Sequence, residues 1–100
     1  LTLPISAIGG AGVISVLANA YPVVFRKLKE ATESKNLKKA QTELFKLLEI
    51  NGPMYEEGNP VGVKYVLQLL GICSHFVRLP LAPASMALQK KIASLAEKVR

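Results

Sequence analysis

The chain has 100 residues, half of them hydrophobic and one in five charged, with thirteen Lys and Arg against seven Glu, no Asp and a net charge of +6. That size carries one modest core, and that composition excludes a disordered chain. The positive balance does not read as a nucleic-acid surface, because basic residues are interleaved with Glu (Arg26, Lys27, Lys29, Glu30, Glu33) and not with aromatic side chains for base stacking.

Thr2 is placed to cap a short first helix with Pro4 in its first turn, where a missing N–H costs little. Gly9-Gly10 stops it. Val13 to Val16 then read as one short strand, apolar on both faces except at Ser15, as for a parallel strand covered on both sides. After Tyr21-Pro22 the period changes to 3.6, with Val24, Leu28 and Ala31 on one face and Arg26, Lys27, Lys29, Glu30 and Glu33 opposite. Ser34-Lys35-Asn36 breaks that helix. A second follows, with Leu37, Ala40, Leu44, Leu47 and Leu48 on one side, ending before Asn51-Gly52-Pro53.

Asn59-Pro60 reads as the clearest helix start, Asn59 as N-cap and Pro60 at the first helical position. Val63, Val66, Leu67 and Leu70 are its expected buried face. Gly71 is its stop, with Ile72 folding back in the Schellman manner. Leu79-Pro80-Leu81-Ala82-Pro83 is forced to be extended. Ser85 caps a last helix with Leu88, Ile92, Leu95 and Val99 inward and Lys90, Lys91 and Glu97 outward. Helix is thus expected over 60–70 and 86–98, and a strand over 13–16.

No apolar run reaches the roughly 18 residues of a membrane span, since Pro22, Arg26 and Lys27 interrupt the only candidate. Leu1 to Val16 lacks the basic start of a signal peptide. Neither a membrane nor a nucleic acid is expected as partner. The single cysteine, Cys73, excludes an internal disulfide framework and suits a reducing, cytoplasmic setting. His75 lies two residues on, but no second His/Cys pair completes a metal site. A packed thiol and a surface imidazole are the expected roles.

Three motifs occur in order along nearly the whole chain. The first is Gly10-Ala11-Gly12-Val13-Ile14-Ser15-Val16 with Asn19, and the second is Glu57-Gly58-Asn59-Pro60-Val61-Gly62-Val63-Lys64. The third is Leu69-Leu70-Gly71-Ile72 leading to Arg78-Leu79-Pro80-Leu81. Together they resemble the dihydrodipicolinate synthase family, the pyruvate-dependent class I aldolases with a (β/α)8 barrel. The first resembles that family's last barrel strand. The second resembles its Asn-Pro-x-x-Val-Lys helix, with Gly62 where the family has Pro or Ala. The second and third favour the synthase over the related N-acetylneuraminate lyases.

The resemblance implies an α/β protein: the last βα unit of a (β/α)8 TIM barrel plus a C-terminal helical extension, the chain itself being mainly α with one strand. Residues 1–35 would be the end of the barrel and residues 36–100 the helical region. It also implies a lyase in which a lysine Schiff base with pyruvate attacks aspartate semialdehyde to give 4-hydroxytetrahydrodipicolinate, with no cofactor. In the family that lysine sits on the sixth strand, assisted by hydroxyls from earlier strands, so no catalytic residue falls in this chain and the chain alone is expected to be inactive.

Lys64 matches the motif lysine outside the barrel mouth and reads as a snorkelling surface lysine. Tyr21, Tyr55 and Tyr65 have no local partner that would mark an acid or base. Ile14 alone is carried over, as the last-strand isoleucine that faces the pyruvate site and helps close it; it can equally be core. Gly12 permits close backbone approach or simply punctuates the strand. The Gly9–Gly12 cluster is no phosphate loop, since it precedes a strand and lacks the Gly-Lys-Ser/Thr ending. The expected partners are the remaining barrel residues or a second copy, in a homotetrameric parent. The alternatives are a non-catalytic helical interaction module or a piece of a related pyruvate aldolase.

Overall fold

The computed structural model describes residues 1–99; Arg100, the end of the expected helical region, lies outside them. Among the described residues there are five α-helices: α1 (Thr2–Ala7), α2 (Pro22–Glu33), α3 (Leu37–Asn51), α4 (Val61–Leu69) and α5 (Met86–Lys98). Short 3-10 turns at Leu17–Asn19 and Gly52–Met54 join them.

The helix ends follow local chemistry. α4 closes as a Schellman motif: Ile72 N–H donates to the Leu67 carbonyl and Gly71 N–H to that of Gln68, with Gly71 at φ +72°. The same pair of bonds ends α1 through Gly9 and Gly10, and α2 through Lys35 and Asn36. Lys35 takes the left-handed position at φ 57° without being glycine. Asn36 then caps α3, its Oδ1 accepting from Lys39 N–H at 3.1 Å. Ser85 caps α5 as expected, its Oγ accepting from Leu88 N–H at 3.3 Å.

Two expected caps are not made. Leu1 holds the N-cap position of α1, so Thr2 is already helical. The Asn59–Pro60 peptide is cis and Pro60 itself is the N-cap of α4, so Asn59 lies one residue too early to cap it.

The short Ser34–Asn36 connection folds α2 back on α3. α4 pairs with α5, α5 also meets α3, and α1 lies across α2 and α3. The main core joins Leu47 and Ile50 of α3, Met54, Val61 and Val66 of the α4 segment, and Leu88 and Ile92 of α5. A smaller one joins Leu28, Ala31 and Ala40, with Leu3 and Leu44 against it. The face of α3 is therefore rotated from the expected one. Ala40, Glu43, Leu47 and Ile50 point inward, while Leu37 and Leu48 are exposed. Glu43 is buried beside Lys46, whose Nζ lies 3.0 Å from Oε2. On α4 the buried face is Val61, Gly62, Val63 and Val66, and Leu70 just beyond it stays 38% exposed.

Among the glycines, Gly62 marks the closest approach to another stretch of backbone. A Cβ there would lie 2.6 Å from Met54 Cα and 2.7 Å from the Pro53 carbonyl oxygen, so α4 rests backbone to backbone on the Gly52–Met54 turn.

The strand expected over Val13–Val16 is not formed; among the described residues there is no strand. Ala11 to Ser15 have no regular structure, and Val16 is already in the helical region at φ −66°, ψ −52°. The reason is physical. A helix satisfies its own backbone, whereas a strand exists only against another strand. The β-branched run has no partner here, and its last residue is drawn into the following turn.

Candidate functional site

The largest concavity is an open groove of about 410 Å³ under the irregular segment. Its walls come from α1 (Thr2, Ile5), the run Val13–Leu17, Phe25 of α2, and the second half of α3 as far as Asn51 and Tyr55. Ile14 lies at its rim with its side chain fully exposed, at 109% of the reference area. Ile14 is therefore not a core residue in this structure. The groove's lining side chains are apolar apart from hydroxyls at Thr2, Ser15 and Tyr55 and the amide of Asn51.

The turn beside Ile14 is held locally. Ser15 Oγ accepts from Ala18 N–H at 3.2 Å, and Asn19 Nδ2 donates to the carbonyls of Ser15 and Val16 at 3.3 and 3.0 Å. Ser15 and Asn19 of the first motif thus fix where the segment turns into α2. The segment ahead of them keeps its backbone exposed.

The groove holds no lysine, histidine or carboxylate side chain among the described residues. It can enclose an apolar or hydroxyl-bonded group, but none of its side chains offers an amine for an imine or a general base. Lys64 is half-buried on α4, outside the groove. Tyr65 packs edge-on against His75, ring centroids 6.0 Å apart, and His75 Nδ1 donates to Gln68 Oε1, which also accepts from His75 N–H at 2.9 Å. Cys73 is exposed, so its expected packed role is not met. Tyr21 lines a separate hollow of about 170 Å³ between α4 and α5. Of the residues singled out, the structure thus brings together Ile14 and Tyr55 at the groove and, away from it, Tyr65 and His75, while Lys64 and Tyr21 line neither the groove nor that ring pair. Asn51 and Thr2 were not legible as neighbours of Ile14, because no spacing signal links a first helix to the end of the third.

A further polar site lies at the start of α5. Glu57 accepts from Ser85 N–H at 2.9 Å and from Ser85 Oγ–H at 2.5 Å. The Ser85 hydroxyl, then its N–H, hold the Glu57 carboxyl below the usual carboxylate range.

Residues 1–99 match the family model described as the dihydrodipicolinate synthetase family. A 4-hydroxy-tetrahydrodipicolinate synthase of Cytophaga hutchinsonii is 48% identical over 92 residues, covering 92% of this chain and 31% of that protein. The crystal structure of dihydrodipicolinate synthase from Thermotoga maritima superposes with a TM-score of 0.91 at 33% identity, over 98% of this chain and 33% of that one. A structure described as the first monomeric dihydrodipicolinate synthase variant gives 0.91 at 33% identity, over 97% and 32%. The chain spans about a third of the length of the curated relatives it matches.

Proposed function

Because the chain belongs to the dihydrodipicolinate synthetase family, we propose that it forms the C-terminal part of a lyase acting on pyruvate and aspartate semialdehyde. The product is 4-hydroxytetrahydrodipicolinate, and the chemistry runs through a Schiff base between pyruvate and a lysine outside these residues. The observation that carries this reading is the groove. Its surface is that of one wall of a pocket, with mostly apolar side chains, a few hydroxyls and no nucleophilic lysine or cysteine side chain.

In this reading residues 1–35 close the barrel and residues 36–100 form the helical extension behind it. The run Val13–Val16 takes its place as the last strand once neighbouring strands supply the missing ladder. Ile14, now wholly exposed, then faces the bound pyruvate and excludes water from it. Lys64 keeps a surface role. The working form is a cytoplasmic homo-oligomer, and a tetramer is the form proposed.

Borohydride trapping tests this. The 100-residue chain, mixed with pyruvate and reduced, should keep its mass, because imine formation needs an amine of depressed pKa beside carboxylate-binding groups. The same residues joined to the rest of a family-length chain should gain one pyruvate-derived adduct. An adduct on Lys64 of the 100-residue chain would overturn the assignment.

A further inference from the structure

Two of the motif segments lie outside the groove, and the fold brings them together. Glu57 opens the Glu57–Lys64 segment, and Ser85 follows four residues after Leu81 at the end of the other. Gly58, at φ +94°, sits so close to this second segment that a Cβ there would lie 3.2 Å from Leu81 Cδ2. Beneath them Met54, Val61, Ala84 and Leu88 are buried. The polar join runs along the top of that contact.

Each atom of the join has one defined role. The Ser85 hydroxyl donates to Glu57 Oε2 at 2.5 Å and, through its lone pair, accepts from Leu88 N–H at 3.3 Å. The Ser85 amide donates to Glu57 Oε1 at 2.9 Å. A carboxylate that accepts two hydrogen bonds from one residue fixes that residue's rotamer as well as its position. Ser85 is therefore held in the orientation that caps α5. Next to this pair, Glu56 Oε1 accepts from Lys91 Nζ, one and a half turns further along the same helix.

We propose that Glu57, Ser85 and the first turn of α5 form an acid-released clamp that holds the C-terminal helix against the segment leading into α4. Only the ionised carboxylate is a strong acceptor at both oxygens. Once it is protonated, one oxygen becomes a donor and a much weaker acceptor, and the Ser85 hydroxyl is no longer pinned in the rotamer that faces Leu88. The helix end then loses a cap, with its first N–H groups exposed to water.

The charged groups nearby do not take over this role. On α5, Lys91 is engaged by Glu56, while Lys90 is exposed and makes no ion pair among the described residues. On the segment before α5, Arg78 is likewise exposed and makes no ion pair with Glu57 among the described residues. Glu57 is held below the ordinary glutamate range by the two Ser85 bonds, hydroxyl first. The sign follows: a carboxyl depressed in the folded state contributes stability above its unfolded value, and that contribution is lost as pH falls through the folded one.

Two readings on the same samples decide it: the NMR titration of the Glu57 side-chain carbon, and hydrogen exchange of the Leu88 amide corrected for its intrinsic rate. In the wild-type chain the Leu88 protection should fall in step with the Glu57 titration. Glu57→Gln should exchange several-fold faster at Leu88 already at neutral pH and show no acid limb there. Glu56→Gln, which frees only Lys91, should keep the wild-type acid limb. The clamp is refuted if Leu88 protection in Glu57→Gln follows the wild-type curve. It is also refuted if Glu57 titrates in the ordinary range, or if wild-type Leu88 loses protection at a pH unrelated to the Glu57 titration. The wild-type comparison stands even if a variant fails to fold.

Discussion

Replacing Gly62 with alanine puts its close backbone-to-backbone contact to a direct test. The added methyl would sit 2.6 Å from Met54 Cα, 2.7 Å from the Pro53 carbonyl oxygen and 2.9 Å from the Met54 carbonyl oxygen. Favourable carbon contacts lie at about 3.5–4.0 Å, so the overlap approaches about 1 Å. All three neighbours are backbone atoms, and no side chain can swing aside to relieve them. Either α4 withdraws from the Gly52–Met54 turn or the turn shifts, and both routes loosen Met54 and Val61, which are 0% and 1% exposed. Overpacking of this kind costs about 1–3 kcal/mol. Alanine returns about 0.5–1 kcal/mol over glycine within a helix. The overlap wins, and a net loss of about 1–2 kcal/mol is expected. Urea unfolding of Gly62→Ala beside Gly52→Ala checks it, because a Cβ at Gly52 meets nothing within 4 Å. The second variant should match or exceed the wild type. If Gly62→Ala unfolds at or above the wild-type midpoint, the close approach is not what requires glycine there.

Four further outcomes are expected. Lys35→Gly should stabilise the chain by about 0.5–1 kcal/mol, since Lys35 holds the left-handed position at φ 57°; a lower urea midpoint would refute it. Asn36→Ala removes the α3 cap and should cost about 1 kcal/mol, read as a lower melting temperature. Stability should fall on acidification through the lowered Glu57 value, and Glu57→Gln should flatten that part of the pH profile, as acid titration by circular dichroism would show. In a family-length enzyme, Ile14→Asp should lower kcat/KM by about a hundredfold, because two like charges about 6 Å apart at an effective dielectric near 20 repel by about 3 kcal/mol. A retained kcat/KM would remove Ile14 from the substrate wall.

Features set by neighbours in sequence were legible. The Gly71-Ile72 stop, the Ser85 cap and the inward positions Leu28, Ala31, Leu88 and Ile92 all stand as read. Each depends on bonds or burial within a turn or two of helix. The Gly62 contact could not be read, since it depends on where α4 meets a turn eight to ten residues earlier. The Glu57–Ser85 pair, 28 residues apart, has no sequence signal either. Asn59 looked like a cap because Asn before Pro is a good start signal. A cis peptide at that bond is invisible to such a rule.

Some departures from the sequence reading lie apart, at Leu37, Asn59, Leu70 and Cys73, but others share one place. Val13 to Val16 are β-branched or apolar around one serine, yet no ladder forms; Leu48 of α3 was expected inward, yet is exposed. Ile14 was read as wall or core; it is fully exposed and so not core. All of these residues line the same groove. A run of branched residues calls for strands on either side, and a helix with a second apolar face calls for a layer to cover it. Both demands point into one space, so a single added layer would answer both. Supplying that layer should turn residues 13–16 into strand, bury Ile14 and Leu48 together, and leave α4 and α5 unchanged.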